Sequence, residues 1–342
     1  PPVMVDEQIA QALSEMKLGA EDYLSLMNGL SSVAKEVQNS VVNVVGVTSD
    51  VSWLVNEYEN EGVVSGVVLA DNGRELLVLA NISTILDAES LKVIFADENE
   101  YEASIKRMDH NTGYAVLAIS KDTMKSGTLS MAKAVSLGTS GGSSLVGVSV
   151  IAIGRPMGTD GSMCYGMITS VSGNVELPDS SYKYMTTDIY GSSSASGILI
   201  NLRGQVLGMI DMTYNAPDMK NIISAIGISD LKKIMESLSN DKDIAYFGVY
   251  GVDVTGEANE EMQVPYGAYI TEIDMDSPAM TAGIQSGDVI VMIDETEITN
   301  YQDLVKTLFF YEPEDEVKIT FMRQGPDGYT EMETDAVLGI KK

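Results

Sequence analysis

The sequence predicts a mostly β protein with a short helical arm at its N-terminus and more than one domain. Three observations carry this. From Val33 onward the chain is a succession of short apolar runs broken at regular spacing by Gly, Asn, Asp and Ser, the pattern of a barrel or sandwich. Its 342 residues give room for two or three separate cores. A polar run, Ser239-Asn240-Asp241-Lys242-Asp243, divides a larger β-rich part from a C-terminal part of different character.

Composition narrows the function. Hydrophobic residues make up 44% and charged residues 21%, ordinary for a globular protein and contrary to wholesale disorder. With 50 acidic residues against 21 basic ones the net charge is −29, which serves solubility. It excludes a general nucleic-acid binder, because neutralising phosphates needs clustered Lys and Arg, and it argues against docking on anionic lipid. The single cysteine, Cys164, rules out an intrachain disulfide and a multi-cysteine zinc site, and the single histidine, His110, removes His-rich metal chemistry. No metal and no cofactor are expected. No apolar run of about 18 residues is present, so no spanning helix is expected. The chain opens Pro1-Pro2-Val3 without Met, which leaves room for an upstream signal or membrane anchor trimmed away.

Taken in order, residues 6–18 and 21–27 carry acids first and apolar residues at helical spacing, giving a helical arm over residues 1–32. This arm is expected to pack on the domain behind it, with partner binding as the alternative. Residues 40–47, 66–70 and 76–80 are predicted strands, and Asp71-Asn72-Gly73 turns between the last two. Gly191-Ser192-Ser193-Ser194-Ala195-Ser196-Gly197 is a string of small residues that can bend sharply and turn its N–H groups outward. Two apolar runs joined at Asn201-Leu202-Arg203-Gly204 follow it and predict a hairpin. A helix capped by Ser229 or Asp230 closes this part, and a helix capped by Asn300 lies in the C-terminal part.

These segments resemble trypsin-fold serine proteases of the HtrA type. Ala152-Ile153-Gly154-Arg155-Pro156-Met157-Gly158 is similar to that family's Ala-Ile-Gly-x-Pro-x-Gly loop, residues 33–44 to its first strand, and residues 187–209 to its nucleophile segment and following hairpin. In the C-terminal part, Tyr246-Phe247-Gly248-Val249, Ser277-Pro278-Ala279, Ala282-Gly283 and Gly287-Asp288-Val289-Ile290 resemble a PDZ domain of the HtrA-associated kind. The resemblance implies a trypsin-like double β-barrel over residues 33–239 followed by a PDZ domain over residues 245–342. It puts the nucleophile position at Ala195, the base at Ser83 and the orienting acid at Gly113, so oxygen, imidazole and carboxylate are all missing. The oxyanion hole falls on the backbone N–H groups of Ser193 and Ala195. Serine at 193 raises the cost of a positive-φ conformation that glycine adopts freely. His110 is expected to be a solvated turn residue, and Cys164 a small hydrophobe rather than a nucleophile.

What this implies is a pseudoprotease, an inactive HtrA-like protein binding peptides or unfolded segments. Residues 246–249, with Gly248 at their centre, would hold a peptide's terminal carboxylate, and Phe247, Val249, Leu304 and Leu308 would line the groove, the two leucines serving equally well as plain core. The resemblance further implies a scaffold, sensor or holdase role in envelope protein quality control, an extracytoplasmic place and a trimer. Two alternatives from other classes stay open. One is an active endopeptidase using Ser194 or Ser196 with an unassigned lysine. The other is a structural domain whose PDZ groove is blocked by side chains of its own chain.

Overall fold

The computed structural model describes residues 19–47 and 62–341. The first part of the expected arm, up to Leu18, lies outside them. Helix α1 (Ala20–Gln38) opens with Glu21 and Asp22 and ends with Lys35 in its last turn, signs that complement the helix dipole. Residues 33–38, expected as the lead-in to the first strand, are the end of this helix. Leu30, Val33, Ala34 and Val37 lie at i, i+3, i+4 and i+7, and that stripe outweighs the β preference of two valines. Val33, Ala34 and Val37 pack on the central apolar cluster described below.

The first barrel contains β1 (Val41–Val47), β2 (Val63–Asp71), β3 (Glu75–Asn81), β4 (Ser90–Ile94), β5 (Glu100–Met108) and β6 (Tyr114–Ser120). It closes in the order β1-β2-β3-β6-β5-β4 through antiparallel pairing of β1 with β4. After a short helix, α2 (Ser126–Met131), come β7 (Ser136–Leu137), β8 (Ser149–Arg155), β9 (Ser162–Leu177), β10 (Ser180–Tyr190), β11 (Ser196–Asn201), β12 (Gln205–Ile210) and β13 (Ile222–Gly227). These form a second barrel, β11-β8-β9-β10-β13-β12, closed by β11 with β12, while β7 lies parallel on the outside of β12. The predicted turns are present. The Asn201 side chain accepts the N–H groups of Arg203 and Gln205, and Gly204 takes a φ of 74°.

Strands that bury both faces join the barrels, β3, β6, β8 and β11 among them. On β3, Leu76, Val78 and Ala80 point into the first barrel, while Leu77 and Leu79 point to the second. Val116 on β6 faces the junction, as do Ile151 and Ile153 on β8 and Ile198 and Ile200 on β11. Helix α3 (Ile228–Ser239) adds Leu231, Ile234, Met235 and Leu238 to the same cluster. Ser229 and Asp230 do not cap it. Ser229 accepts the N–H of Ser140, and Asp230 accepts the N–H of Lys183, so both polar groups are used on neighbouring elements.

The C-terminal domain comprises β14 (Ala245–Tyr246), β15 (Val249–Asp253), α4 (Gly256–Met262), β16 (Ala268–Ile273), α5 (Pro278–Thr281), β17 (Val289–Ile293), β18 (Thr296–Glu297), α6 (Tyr301–Leu308), β19 (Glu316–Gly325), β20 (Gly328–Val337) and β21 (Gly339–Ile340). Its main sheet runs β15-β16-β17-β19-β20. Asn300 caps α6 as expected, its side chain accepting the N–H of Asp303 at 2.9 Å.

The contact of β8 with β11 admits no side chain at Gly197. It pairs with Gly154, has a φ of 128°, and a Cβ there would overlap the carbonyl of Ile153. Gly197→Ala is expected to destabilise the fold by about 3 kcal/mol, through overpacking and a disfavoured backbone conformation. Chemical denaturation of the two proteins checks this; equal midpoints and slopes would refute it.

Candidate functional site

A cleft of about 750 Å³ lies between the barrels. Its walls include Asn81 and Ser83 from the end of β3, residues 193–196 leading into β11, and Asp211, Met212 and Thr213 beyond β12. Three positions singled out in the sequence converge here. Ser83 and Ala195 both line the cleft. Gly113 lies directly behind Ser83, since a Cβ at Gly113 would overlap the Ser83 hydroxyl and come within 2.7 Å of Asn81 Oδ1. Ser83 thus fills space that an acidic side chain at position 113 would need.

The polar groups here bond to one another. Ser83 donates to Asn81 Oδ1 through its N–H at 3.1 Å and its hydroxyl at 2.7 Å. Asn81 donates through Nδ2 to the Thr112 carbonyl at 3.1 Å and to Asp211 Oδ2 at 3.2 Å. Asp211 is buried, and its Oδ1 accepts the N–H of Thr213 at 2.9 Å. Arg155 is the only basic residue among the described residues lining the cleft. Its guanidinium is held by Asp160 and by the Gly158 carbonyl. His110 is exposed in the turn before β6 and does not line the cleft.

The nucleophile-like loop is held at several points. The N–H of Ser192 donates to the Pro156 carbonyl, Asn221 Nδ2 donates to the Gly191 carbonyl, and the hydroxyls of Ser192 and Ser194 lie 2.9 Å apart. Ser196 Oγ accepts the N–H of Ser65 on β2 at 2.9 Å and so ties the barrels together. Ser193 has no positive φ. The N–H of Ala195 donates to the Ser192 carbonyl at 3.1 Å, so this donor of the expected oxyanion hole is already bonded within its own loop.

Among the described residues, the titratable side chains lining the cleft are Arg155 and Asp211. Burial, followed by the nearby carboxylates of Asp211 and Asp109, pushes the Tyr214 phenol up to about 12. Burial also raises Tyr184, whose hydroxyl donates to the Asp211 carbonyl oxygen at 2.8 Å. Both are neutral donors at physiological pH. The lining is a polar trench able to hydrogen-bond an extended chain.

The second candidate site is the loop at residues 246–249. Phe247, Val249, Leu304 and Leu308 all belong to the core of the PDZ domain. The loop's backbone donors have a partner no sequence pattern indicated, Asp179, from the turn between β9 and β10. Its carboxylate accepts the N–H of Phe247 at 2.7 Å, of Gly248 at 2.8 and 3.0 Å, and of Val249 at 3.0 Å. Burial raises the Asp179 carboxyl, opposed by the charge of Lys341 and by the three N–H donors. Pro178-Asp179-Ser180 is recognisable as a turn, but nothing local shows where that turn docks.

Cys164 is half-buried on β9, and burial pushes its thiol up. Its alkylation by iodoacetamide at pH 8 is therefore expected to be slower than that of a free thiol, with the gap narrowing as the pH rises. Intact-mass time courses check this, and faster labelling than the free thiol would contradict it.

Residues 64–209 match the trypsin-like peptidase domain family and residues 247–334 the PDZ domain family. The chain is 27% identical over 333 residues to a serine protease Do-like HtrA of Lactococcus lactis subsp. cremoris, covering 86% of this chain and 80% of that one. It is 26% identical over 274 residues to a probable periplasmic serine endoprotease DegP-like of Halomonas elongata, covering 78% of this chain and 55% of that one. The solved structure of an HtrA-type protease AlgW with decapeptide aligns with a TM-score of 0.64 at 21% identity, over 92% of this chain and 99% of that one. Domain order and barrel topology agree with these matches: the chain is similar to HtrA-type proteases in carrying a trypsin-like peptidase domain followed by a PDZ domain.

Proposed function

We propose that this chain is a catalytically inactive protein of the HtrA type that binds peptides or unfolded segments through its PDZ domain. The observation that carries this is the cleft, where Ala195, Ser83 and Gly113 come together, the residues that the resemblance assigns to nucleophile, base and orienting acid. Acyl transfer needs an activated nucleophile, and losing a nucleophile or base of such a triad costs on the order of 10⁶ in rate. The bonding of the Ala195 N–H to the Ser192 carbonyl adds to this. One lost oxyanion donor costs about 10²–10³. Peptide binding is supported by the PDZ match and by the likeness to AlgW, a protein solved with a decapeptide. An extracytoplasmic place is inferred from the periplasmic relative, and work in envelope protein quality control from resemblance to the family. A trimer is inferred from resemblance to the family.

The test is intact mass after long exposure to a fluorophosphonate probe, beside casein digestion, on the native chain and on Ala195→Ser. Unchanged masses and whole casein are expected for both, because restoring the hydroxyl leaves Ser83 in place of a base. An adduct within residues 192–196 of the native chain, together with casein fragments, would establish an active endopeptidase instead.

A further inference from the structure

The turn between β9 and β10 belongs to the second barrel, yet its tip is buried in the PDZ domain. Asp179 is 4% exposed, with a φ of 53°, a left-handed conformation that Asp tolerates better than most residues. Besides receiving three consecutive backbone N–H groups, it donates its own N–H to the Val249 carbonyl at 2.9 Å. Its neighbours continue the contact. Ser180 Oγ accepts from Lys341 Nζ at 2.5 Å, and the Ser181 carbonyl accepts from Gln302 Nε2 of α6 at 3.1 Å. The tip therefore lies against β15 and α6.

A peptide ending in this groove would present a carboxylate to the same N–H groups and add its backbone to the same strand edge. Each N–H can serve one strong acceptor well, and all three are taken. We propose that the β9–β10 hairpin is a built-in ligand of the PDZ groove, with the Asp179 carboxylate standing where a peptide's terminal carboxylate would bind, so that C-terminal peptides enter only by displacing it. This rests on the peptide-binding function proposed above and specifies its ligand as a free carboxyl terminus. A tethered competitor acts at high effective concentration, and the apparent affinity of an outside peptide falls by the fraction of time the groove is open.

The experiment compares the full chain with Asp179→Ala and Asp179→Asn. The probe is a pool of fluorescein-labelled decapeptides with a fixed C-terminal valine, carrying either a free carboxylate or an amide. Fluorescence polarisation gives affinity, and hydrogen exchange reports residues 173–183 and 246–249. Removal of the Asp179 carboxylate is expected to tighten binding of the free-carboxylate pool by about tenfold or more, with little change for the amide pool. In the native chain, which needs no variant to fold, saturating free-carboxylate pool is expected to raise exchange in residues 173–183. Equal affinity of native and variant chains for the free-carboxylate pool, with no such rise, overturns the internal ligand while leaving peptide binding intact. If no protein binds either pool but exchange at residues 246–249 rises in the variants, the hairpin's occupancy stands and peptide binding fails. If neither binding nor exchange changes, the proposal is refuted.

Discussion

The two-sided burial of β3, β6, β8 and β11 is the constraint on which the rest depends. Each strand sends one set of side chains into its own barrel and the other into the shared junction. Burying a Leu or Ile there is worth about 1.5–3 kcal/mol. Because both faces are apolar, hydrophobic pattern alone selects the register weakly, whereas a one-residue slip exchanges the faces. Backbone approach at Gly154 and Gly197 supplies what pattern lacks, since any Cβ shifted to position 197 would meet a carbonyl. The cleft is a by-product of this junction. Ser83 follows β3, and Ala195 precedes β11, so the strands that fuse the barrels also bring those residues face to face.

The cleft also separates scaffold from chemistry. The convergence of Ser83, Gly113 and Ala195 follows from strand placement and is indifferent to what their side chains can do. Local packing has adjusted to their identities. Ser83 occupies the space beside Gly113 and bonds to Asn81, which reaches in turn to Asp211 across the cleft. This network satisfies groups that would otherwise face the trench unpaired. The Ala195 N–H is likewise paired within its own loop.

The second polar commitment is between domains. A buried carboxylate is costly unless it is paired and hydrogen-bonded. Asp179 meets that condition with three N–H donors and the nearby positive charge of Lys341. The donors are available because Gly248, with a φ of 89°, turns the loop so that successive N–H groups converge, and a Cβ there would overlap Ser277. One side chain thereby links the second barrel to the loop at residues 247–249 of the PDZ domain.

The sequence by itself determined the mostly β class, the turns at Asn72-Gly73 and Asn201–Gly204 and the Asn300 cap, because each rests on local preference or on periodicity of two. Family likeness added the positions of Ser83, Gly113 and Ala195, since those depend on order along strands that a single chain displays. Only tertiary structure decided the rest. Helix α1 continues through Val33 and Val37 because a neighbouring barrel covers its stripe. Ser229 and Asp230 leave the helix end because donors on Ser140 and Lys183 come within reach. The partner of residues 247–249 lies 68 to 70 positions away in the chain, in a turn whose composition fixes its bend but not its destination. Local sequence encodes dihedral preference and face, whereas the meeting of distant polar groups is set by how whole domains pack.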